Sequence, residues 1–378
     1  MWDESSMDSV IHLAASINRS YLPYFSVMVS SVFRHRDPAR RYYLHVLSFD
    51  VTESDLHDAV PYQTDSFKLN VLDVSELNKR LASYHFGSQF GPECVFRLGL
   101  INLLPSVDKV LYLDSDLVVL KDISALFDVD LQKNCLAAVL DIGSIGMVSG
   151  YDLREAGRLQ RLGIEDPHSY FNSGVLLMNL SELRLSTSLN DLLTWIADFE
   201  PEYPDQDCLN RFFSNRTLRL SMRWNVLFDS EGIRVKDIAT YAPKPLFRQY
   251  LDARNDPCIF HFAGPCKPWM RYVDGSQLFW SEARFSPLYE SVVADYVCNQ
   301  AVLNSSSALQ PVWSTFDDLY FEVNEGERIR ADLHRRLADA ERRIDELQAS
   351  IDELQASIDE LKRLKTPLIN KVYARIKN

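Results

Sequence analysis

The sequence lacks several features that mark membrane, secreted or nucleic-acid-binding proteins. It has no uncharged apolar stretch approaching the roughly 18 residues that a membrane span needs. Its first residues include Asp3, Glu4 and Asp8, with no basic flank and no long apolar region, so we expect no secretory signal. A net charge of -13 argues against a nucleic-acid partner for the chain as a whole.

Cysteine patterns that hold metals or disulfides are also missing. The six cysteines show no Cys-x-x-Cys spacing, so the sequence gives no sign of a zinc site or a disulfide framework. Reduced thiols fit a cytoplasmic protein, which is the location we expect. With 378 residues, 46% of them hydrophobic, the chain can form one large domain and an appendage.

Strand-like and helical patterns alternate along the first part of the chain. Apolar segments at 10–15, 42–48, 67–72, 109–113 and 136–140 are typical of buried strands. Mostly apolar segments from Tyr21 to Phe33 and from Cys94 to Leu104 have helical patterns, and the second contains the charged Arg97. The segment from Tyr170 to Leu180 opens with polar residues typical of a turn and continues as a buried strand. This alternation predicts an α/β domain with a mostly parallel mixed sheet, in which ligands bind at the carboxyl ends of strands.

One predicted strand ends in Asp114-Ser115-Asp116. Residues i and i+2 of an extended segment point the same way, so Asp114 and Asp116 would present two carboxylates to one side. Such a pair can hold a divalent metal. The alternative is an ordinary turn, since Asp is common after strands.

Other candidate residues lie further along the chain. Asp205 stands at the start of a helical run and would either serve a site or cap the helix. His261 lies in an apolar strand-like setting and would be either a core residue or a ligand. Gly264 and Lys267 follow it and suit a phosphate clamp, because glycine permits close backbone approach and the ammonium supplies a point charge.

These segments form an ordered set of motifs. The set is Leu13-Ala14-Ala15, Phe96-Arg97-Leu98, Asp114-Ser115-Asp116, Phe171-Asn172-Ser173-Gly174-Val175-Leu176, Asp205-Gln206-Asp207, Arg223-Trp224-Asn225 and His261 to Trp269. In order and spacing the chain from about Val10 to Trp280 resembles the family 8 glycosyltransferases. These are retaining enzymes of the GT-A fold that include bacterial lipooligosaccharide galactosyltransferases and the glycogenins.

The resemblance implies a role for each motif. Asp114, Asp116 and His261 would hold Mn²⁺ or Mg²⁺ together with the diphosphate of a UDP-hexose donor, and the imidazole favours Mn²⁺. Lys267 and the backbone near Gly264 would grip the diphosphate. Asp141 would face the acceptor. The remaining donor-binding residues implied by the resemblance are Ala14, Ala15, Asn18, Arg97, Ser115, Asn172, Ser173, Gly174 and Asp205.

One loop departs from the family pattern. The family usually has acidic residues after the Ala-Ala pair, whereas this chain has Ser16-Ile17-Asn18-Arg19. The acidic residues that in the family contact uracil and ribose therefore have no counterpart at these positions, although UDP is still the expected nucleotide.

The resemblance also directs the expected mechanism. It puts Gln206 closest to the anomeric carbon, and a neutral amide is a poor nucleophile. We therefore expect the acceptor hydroxyl to attack from the face that the diphosphate leaves, with Gln206 stabilising the oxocarbenium-like state. Covalent catalysis by Asp207 is the alternative. Asp205, in the same motif, is the third candidate catalytic residue.

Three functions are compatible with these motifs. The first is extension of a bacterial surface glycan, such as lipooligosaccharide, with galactose or glucose. The second is a glycogenin-like primer that glucosylates one of its own tyrosines. The third is an inactive oligomeric scaffold, which the intact set of Asp114, Asp116, His261 and Lys267 argues against.

The composition changes after about residue 310. Residues 1–310 would form the catalytic domain and 311–325 a linker. Residues 326–365 carry Ile and Leu at heptad spacing, with Ile-Asp-Glu-Leu-Gln-Ala-Ser repeated at 344–350 and 351–357. Ile at a and Leu at d favour a parallel two-stranded coiled coil and hence a homodimer. Gln at e and Ser at g leave a trimer or an antiparallel pair open, and a single helix packed on the enzyme is a further alternative.

The end of the chain is basic. Residues 362–378 contain Lys and Arg but no acid, and 366–378 have an apolar stripe at helical spacing. A basic amphipathic helix would bind anionic lipid and hold the enzyme at the inner face of the membrane; a solvated tail is the alternative.

We expect removal of residues 326–378 to convert the dimer into a monomer, because the heptads supply the association surface. Sedimentation velocity of the full and shortened chains measures the change. An unchanged oligomeric state in the shortened chain would show that this segment has no role in association.

Overall fold

The structure, a computed structural model, describes residues 10–84, 91–228 and 233–305. The linker, coiled coil and basic tail predicted after residue 310 lie outside these ranges and stay predictions. No helix within the three ranges is long and apolar enough to cross a membrane.

Within the described residues, ten strands form two sheets. They are β1 (Val10–Ser16), β2 (Arg41–Ser48), β3 (Phe67–Asp73), β4 (Lys109–Leu113), β5 (Leu117–Val119), β6 (Leu136–Leu140), β7 (Phe171–Asn179), β8 (Thr217–Arg219), β9 (Val226–Leu227) and β10 (Ile259–His261). The large sheet has the order β3-β2-β1-β4-β7-β6-β8 and the small one β5-β10-β9. In the large sheet β7 is antiparallel to both of its neighbours, and the other pairs are parallel.

Helices connect the strands. They are α1 (Leu22–His35), α2 (Glu53–Ala59), α3 (Ser75–Leu81), α4 (Glu93–Phe96), α5 (Leu100–Leu103), α6 (Ser124–Phe127), α7 (Ile142–Ser149), α8 (Leu153–Arg161), α9 (Leu180–Ser186), α10 (Leu189–Phe199), α11 (Pro204–Phe213), α12 (Lys244–Asn255), α13 (Ser276–Ala283) and α14 (Tyr289–Ser305). Several helices are preceded by a residue whose side chain accepts hydrogen bonds from backbone N–H groups of the first turn. Asp141 caps α7 in this way, and Asp152 caps α8.

The strand β4 shows why its sequence is continuously apolar. Leu111 and Leu113 pack into the core on one face of the large sheet, and Val110 and Tyr112 pack into the core on the other. Because successive side chains of a strand point to opposite faces, a strand covered on both sides needs apolar residues at every position. The end of this run therefore marks the edge of the sheet, where polar groups can reach a ligand.

Most of the predicted elements are confirmed. The predicted α/β fold with a mostly parallel sheet is present, and each predicted strand lies within a residue or two of its expected bounds. The predicted helix from Cys94 to Leu104 consists of α4, a 3-10 turn at Arg97–Gly99 and α5. The polar turn expected at the start of the segment from Tyr170 to Leu180 is wrong, because Phe171 to Gly174 already belong to the buried strand β7.

Two buried histidines lie side by side in the large sheet. His12 Nδ1 is 3.0 Å from His45 Nε2, and His45 Nδ1 is 3.0 Å from the acceptor Oδ1 of Asn70. When both rings are neutral, His45 donates from Nδ1 to Asn70 and accepts at Nε2 from Nδ1 of His12. Burial, and then the neighbouring His12, lower the pKa of His45 to about 4.

We expect this pair to make the fold less stable in mild acid. The folded chain binds a proton at His45 less readily than the unfolded chain, whose histidines have a pKa near 6.5, so stability falls as the pH drops from about 6.5 towards 4. From pH 7 to pH 5 the free energy of unfolding should decrease by about 2 kcal/mol more in the wild type than in His45→Gln. Urea unfolding at the two pH values measures this difference. His57→Gln, at an exposed position of α2, is the control and should behave as the wild type; equal losses in His45→Gln and wild type would contradict the prediction.

Candidate active site

The three predicted metal ligands meet at one edge of the sheets. Asp114 follows β4, Asp116 precedes β5, and His261 ends β10, which pairs with β5 so that His261 lies opposite Leu117. One ligand atom from each of the three side chains lies within 4.8 Å of the others. His261 Nε2 is 3.0 Å from Asp116 Oδ1 and 3.7 Å from Asp114 Oδ2.

Asn225 determines which nitrogen of His261 faces the carboxylates. The backbone N–H of Gly174 donates to Asn172 Oδ1 at 2.9 Å, so that atom is an acceptor. Asn225 Nδ2 donates to the same oxygen at 2.7 Å, which leaves Asn225 Oδ1 to accept from His261 Nδ1 at 2.9 Å. Because Nδ1 donates to Asn225, Nε2 is the nitrogen that faces Asp116, where it can carry a proton or bind a metal ion.

This arrangement fits a cation. A lone pair and a carboxylate oxygen 3.0 Å apart repel each other unless a proton or a metal ion lies between them. In the ion pairs of the described site, three carboxylates face two fixed cations. The carboxylates are those of Asp114, Asp116 and Asp205, and the cations are those of Arg97 and Lys267. The donor set and the surplus negative charge both suit a divalent metal.

There is no spare room beneath these ligands. A methyl group on Gly174 would lie 2.2 Å from His261 Cε1 and 2.8 Å from Asp114 Oδ2. Glycine at position 174 is therefore required for β7 to pass directly under the cluster.

The predicted clamp reaches the same cluster. Lys267 is buried, and its ammonium bonds to Asp116 and donates to the backbone oxygen of Phe262 at 2.7 Å. Gly264, in the turn between them, has a φ of 108° that side chains rarely adopt, so the turn depends on glycine. Burial alone would raise the pKa of Asp116, but the charges of Lys267 and His261 outweigh it and lower that pKa.

Arg97 is a buried cation between two acids. Its guanidinium is 2.8 Å from Asp114 Oδ1 and 3.2 Å from Asp205 Oδ2, and it also donates to the backbone oxygen of Ser173. Burial raises the pKa of Asp114 in spite of this partner. The alternative role of Asp205 as a helix cap is wrong: α11 begins at Pro204 with Tyr203 before it, and no side chain caps it.

Gln206 lies at the other end of the site among donors and acceptors. Its Oε1 accepts from Ser173 N and Asn172 Nδ2, each at 3.0 Å. Its Nε2 is 3.3 Å from Asp141 Oδ2 and 3.3 Å from the hydroxyl of Tyr170. The structure thus brings the predicted donor-facing and acceptor-facing residues into one network.

Asp207 is not part of the open site. It is fully buried behind Gln206, where Arg158, the Tyr170 hydroxyl and the backbone N–H of Tyr203 bond to its two oxygens.

The predicted nucleotide loop lies beside the metal ligands. The side chains of Ala14 and Ala15 are fully buried in the two cores, so these residues can offer a ligand little but backbone. The hydroxyl of Ser115 donates to the backbone oxygen of Ser16 at 3.1 Å, which joins the loop to the Asp114-Ser115-Asp116 turn. Asn18 donates to Glu93 at 2.8 Å, so a carboxylate reaches this loop from α4.

Sequence reasoning missed several residues that the structure brings to the site. Asn225 stood in a matched motif, but it received no role. Glu93, Tyr170 and Arg158 carried no signal, because each acts through a partner far away in the chain.

Known proteins resemble this chain in sequence. The sequence model of Glycosyl transferase family 8 matches residues 12–272. General stress protein A of Bacillus subtilis (strain 168) is 24% identical over 276 residues, which are 69% of this chain and 88% of that protein. Lipopolysaccharide 1,2-glucosyltransferase of Escherichia coli (strain K12) is 24% identical over 281 residues, which are 70% of this chain and 74% of that protein.

A solved structure resembles it in fold. The galactosyltransferase LgtC, in complex with donor and acceptor sugar analogs, superposes with a TM-score of 0.60 and 25% sequence identity. The match covers 74% of this chain and 96% of that one.

We expect Asn225→Ala to weaken Mn²⁺ binding by about 10- to 100-fold, because the partner of His261 Nδ1 would be lost and the ring would no longer be held with Nε2 towards the carboxylates. Titration calorimetry with MnCl₂ measures the affinity. Asn190→Ala, at an exposed position of α10, is the control. Equal Mn²⁺ affinity in the two variants would show that Asn225 does not orient the ligand.

Proposed function

Because the chain belongs to glycosyl transferase family 8, we propose that it transfers galactose or glucose from a UDP-sugar to a glycan acceptor with retention of configuration. The observation that carries this proposal is the convergence of Asp114, Asp116 and His261 beside Lys267. This set suits a metal-bound diphosphate, which is the leaving group of a UDP-sugar.

Asp114, Asp116 and His261 are the residues that would hold the metal, and the imidazole favours Mn²⁺ over Mg²⁺. When bound, the ion would stabilise the negative charge that develops on the departing diphosphate. Lys267 lies within bonding distance of Asp116, so its ammonium can add a second positive charge at the same place.

Arg97 would fix the positions of the groups on the donor side of the site. It joins Asp114 on the metal side to Asp205 and the Ser173 carbonyl on the sugar side. A planar guanidinium with several donors can hold these groups at fixed separations, which a flexible lysine could not do. Asn172, Ser173 and Gly174 would line the same side, while Ala14, Ala15, Asn18, Ser115 and the backbone near Gly264 would contact the rest of the donor.

For the chemical step we propose same-face attack by the acceptor hydroxyl, with Gln206 stabilising the oxocarbenium-like state. The acceptor proton would pass to the departing phosphate oxygen. The surroundings of Asp207 favour this route over covalent catalysis, because both of its oxygens already accept bonds from Arg158, Tyr170 and Tyr203. Asp141, bonded to Gln206, would face the acceptor.

The acceptor we propose is a bacterial surface glycan such as lipopolysaccharide or lipooligosaccharide, modified in the cytoplasm or at the inner face of the membrane. Support comes from the similar lipopolysaccharide 1,2-glucosyltransferase of Escherichia coli and from galactosyltransferase LgtC. The homodimer and the lipid-binding tail remain proposals from the sequence. No observation on the described residues favours the self-glucosylating primer over this reading.

We expect the wild-type chain to hydrolyse UDP-galactose or UDP-glucose with Mn²⁺ and to lose this activity in EDTA, because the leaving diphosphate needs charge stabilisation. Asp116→Asn should lower the rate by at least about 100-fold. UDP release, followed by chromatography, measures the rate. Asp58→Asn, at an exposed position of α2, is the control and should keep the wild-type rate. Full activity in EDTA would refute the metal, and no turnover with a panel of UDP-sugars would refute the function.

A further inference from the structure

Four polar side chains lie behind Gln206 without a role in the proposed chemistry. They are Glu155, Arg158, Tyr170 and Asp207, and all are buried, with Asp207 and Tyr170 fully so. Burying charged groups costs free energy unless they are paired and hydrogen-bonded. Such a cluster next to a reacting centre calls for an explanation beyond packing.

Arg158 connects the charged members of this cluster. Its Nε and Nη2 donate to the two oxygens of Glu155 at 2.8 and 2.6 Å. Its Nη1 bonds to Asp207 Oδ1 and donates to the Tyr170 hydroxyl at 3.2 Å. Because the guanidinium is planar and held on both sides, it gives Asp207 a fixed position.

Asp207 in turn orients the hydroxyl of Tyr170. The two oxygens are 2.5 Å apart, and an ionised carboxylate can only accept, so the hydroxyl proton points to Asp207. Burial raises the pKa of Tyr170 well above its usual value, which keeps that proton in place. A lone pair of the hydroxyl is left for Gln206 Nε2, 3.3 Å away.

The other end of the Gln206 amide is held by β7. The backbone N–H of Ser173 can only donate, so the group it meets at 3.0 Å is Oε1, and Nε2 must face Tyr170 and Asp141. The carboxamide thus has one orientation, with its oxygen on the donor-sugar side and its nitrogen on the Tyr170 side.

We propose that Tyr170 is a positioning residue for Gln206. Arg158 fixes Asp207, Asp207 orients the hydroxyl of Tyr170, and this hydroxyl holds Gln206; we call this chain of bonds the relay. In it Asp207 has a positioning role and is not a nucleophile. The inference rests on the proposed function and adds a specific role for residues behind the site. A change of this relay moves Gln206 without touching the metal ligands or Lys267.

The decisive variant is Tyr170→Phe, which removes one oxygen atom and keeps the ring. We expect kcat for hydrolysis of the UDP-sugar to fall by about 10- to 100-fold, since a small displacement of a catalytic group has an effect of this size. KM for the donor and the Kd of UDP should stay within about twofold of the wild type, because the groups that bind diphosphate are unchanged.

A matched control separates positioning from stability. Tyr42 on β2 is also fully buried, and its hydroxyl donates to Asp122 at 3.3 Å, away from the site. Tyr42→Phe should lower the melting temperature as Tyr170→Phe does, but should leave kcat unchanged.

Asp207→Asn provides a second test. If Asp207 only orients Tyr170, this variant should lose kcat to the same degree as Tyr170→Phe, and the double variant should lose little more, because both changes break one relay. If Asp207 were the nucleophile, Asp207→Asn would abolish turnover while Tyr170→Phe retained most of it.

The outcomes are distinct. A lower kcat with unchanged UDP affinity in Tyr170→Phe, together with non-additivity, supports the inference. Wild-type kcat in Tyr170→Phe, additive losses, or a joint loss of kcat and UDP binding overturns the inference alone. No turnover by the wild-type chain with any UDP-sugar would refute the proposed function and the inference with it.

Discussion

Two backbone N–H groups of β7, those of Ser173 and Gly174, determine the direction of the hydrogen bonds in the site. A backbone N–H can only donate. The side-chain atom of Asn172 that faces the N–H of Gly174 must therefore be its oxygen, and the side-chain atom of Gln206 that faces the N–H of Ser173 must also be its oxygen. From these two points the bonds continue through Asn225 to His261 and through Tyr170 to Asp207. The lone pair that a metal needs and the amide proposed to face the sugar are thus oriented by the same short strand.

The antiparallel direction of β7 is what makes this possible. Its first residues lie next to the carboxyl ends of β4 and β6, where Asp114 and Asp141 follow. The backbone N–H of Asp114 donates to Gly174 and that of Asp141 donates to Tyr170, at 2.8 and 2.9 Å. A parallel strand would have brought its carboxyl end to this edge, and the polar start of β7 would lie at the other side of the sheet.

How much of this was predictable depended on whether the signal was local. The strand before Asp114 was predictable from its apolar run, and the pair of carboxylates from its spacing. His261 looked like a core residue until the resemblance linked it to that pair. The segment Asn172-Ser173-Gly174 was predicted as a turn because small polar residues favour turns, but here the buried network outweighs that tendency. Tyr170, Asn225 and Arg158 could not be assigned roles, since their partners lie 37, 36 and 49 positions away, respectively.

The fixed direction of the network has a consequence for chemical ageing. Asn172, Asn225 and Gln206 each donate on one side and accept on the other, and slow hydrolysis of such an amide replaces its NH₂ with a second oxygen of nearly the same size. At position 225 an oxygen of the new carboxylate would replace Nδ2 and face Asn172 Oδ1. At position 206 an oxygen would replace Nε2 and face Asp141 Oδ2. Shape would be preserved while the bonds became repulsive, so an aged molecule could stay folded and lose the geometry of its site.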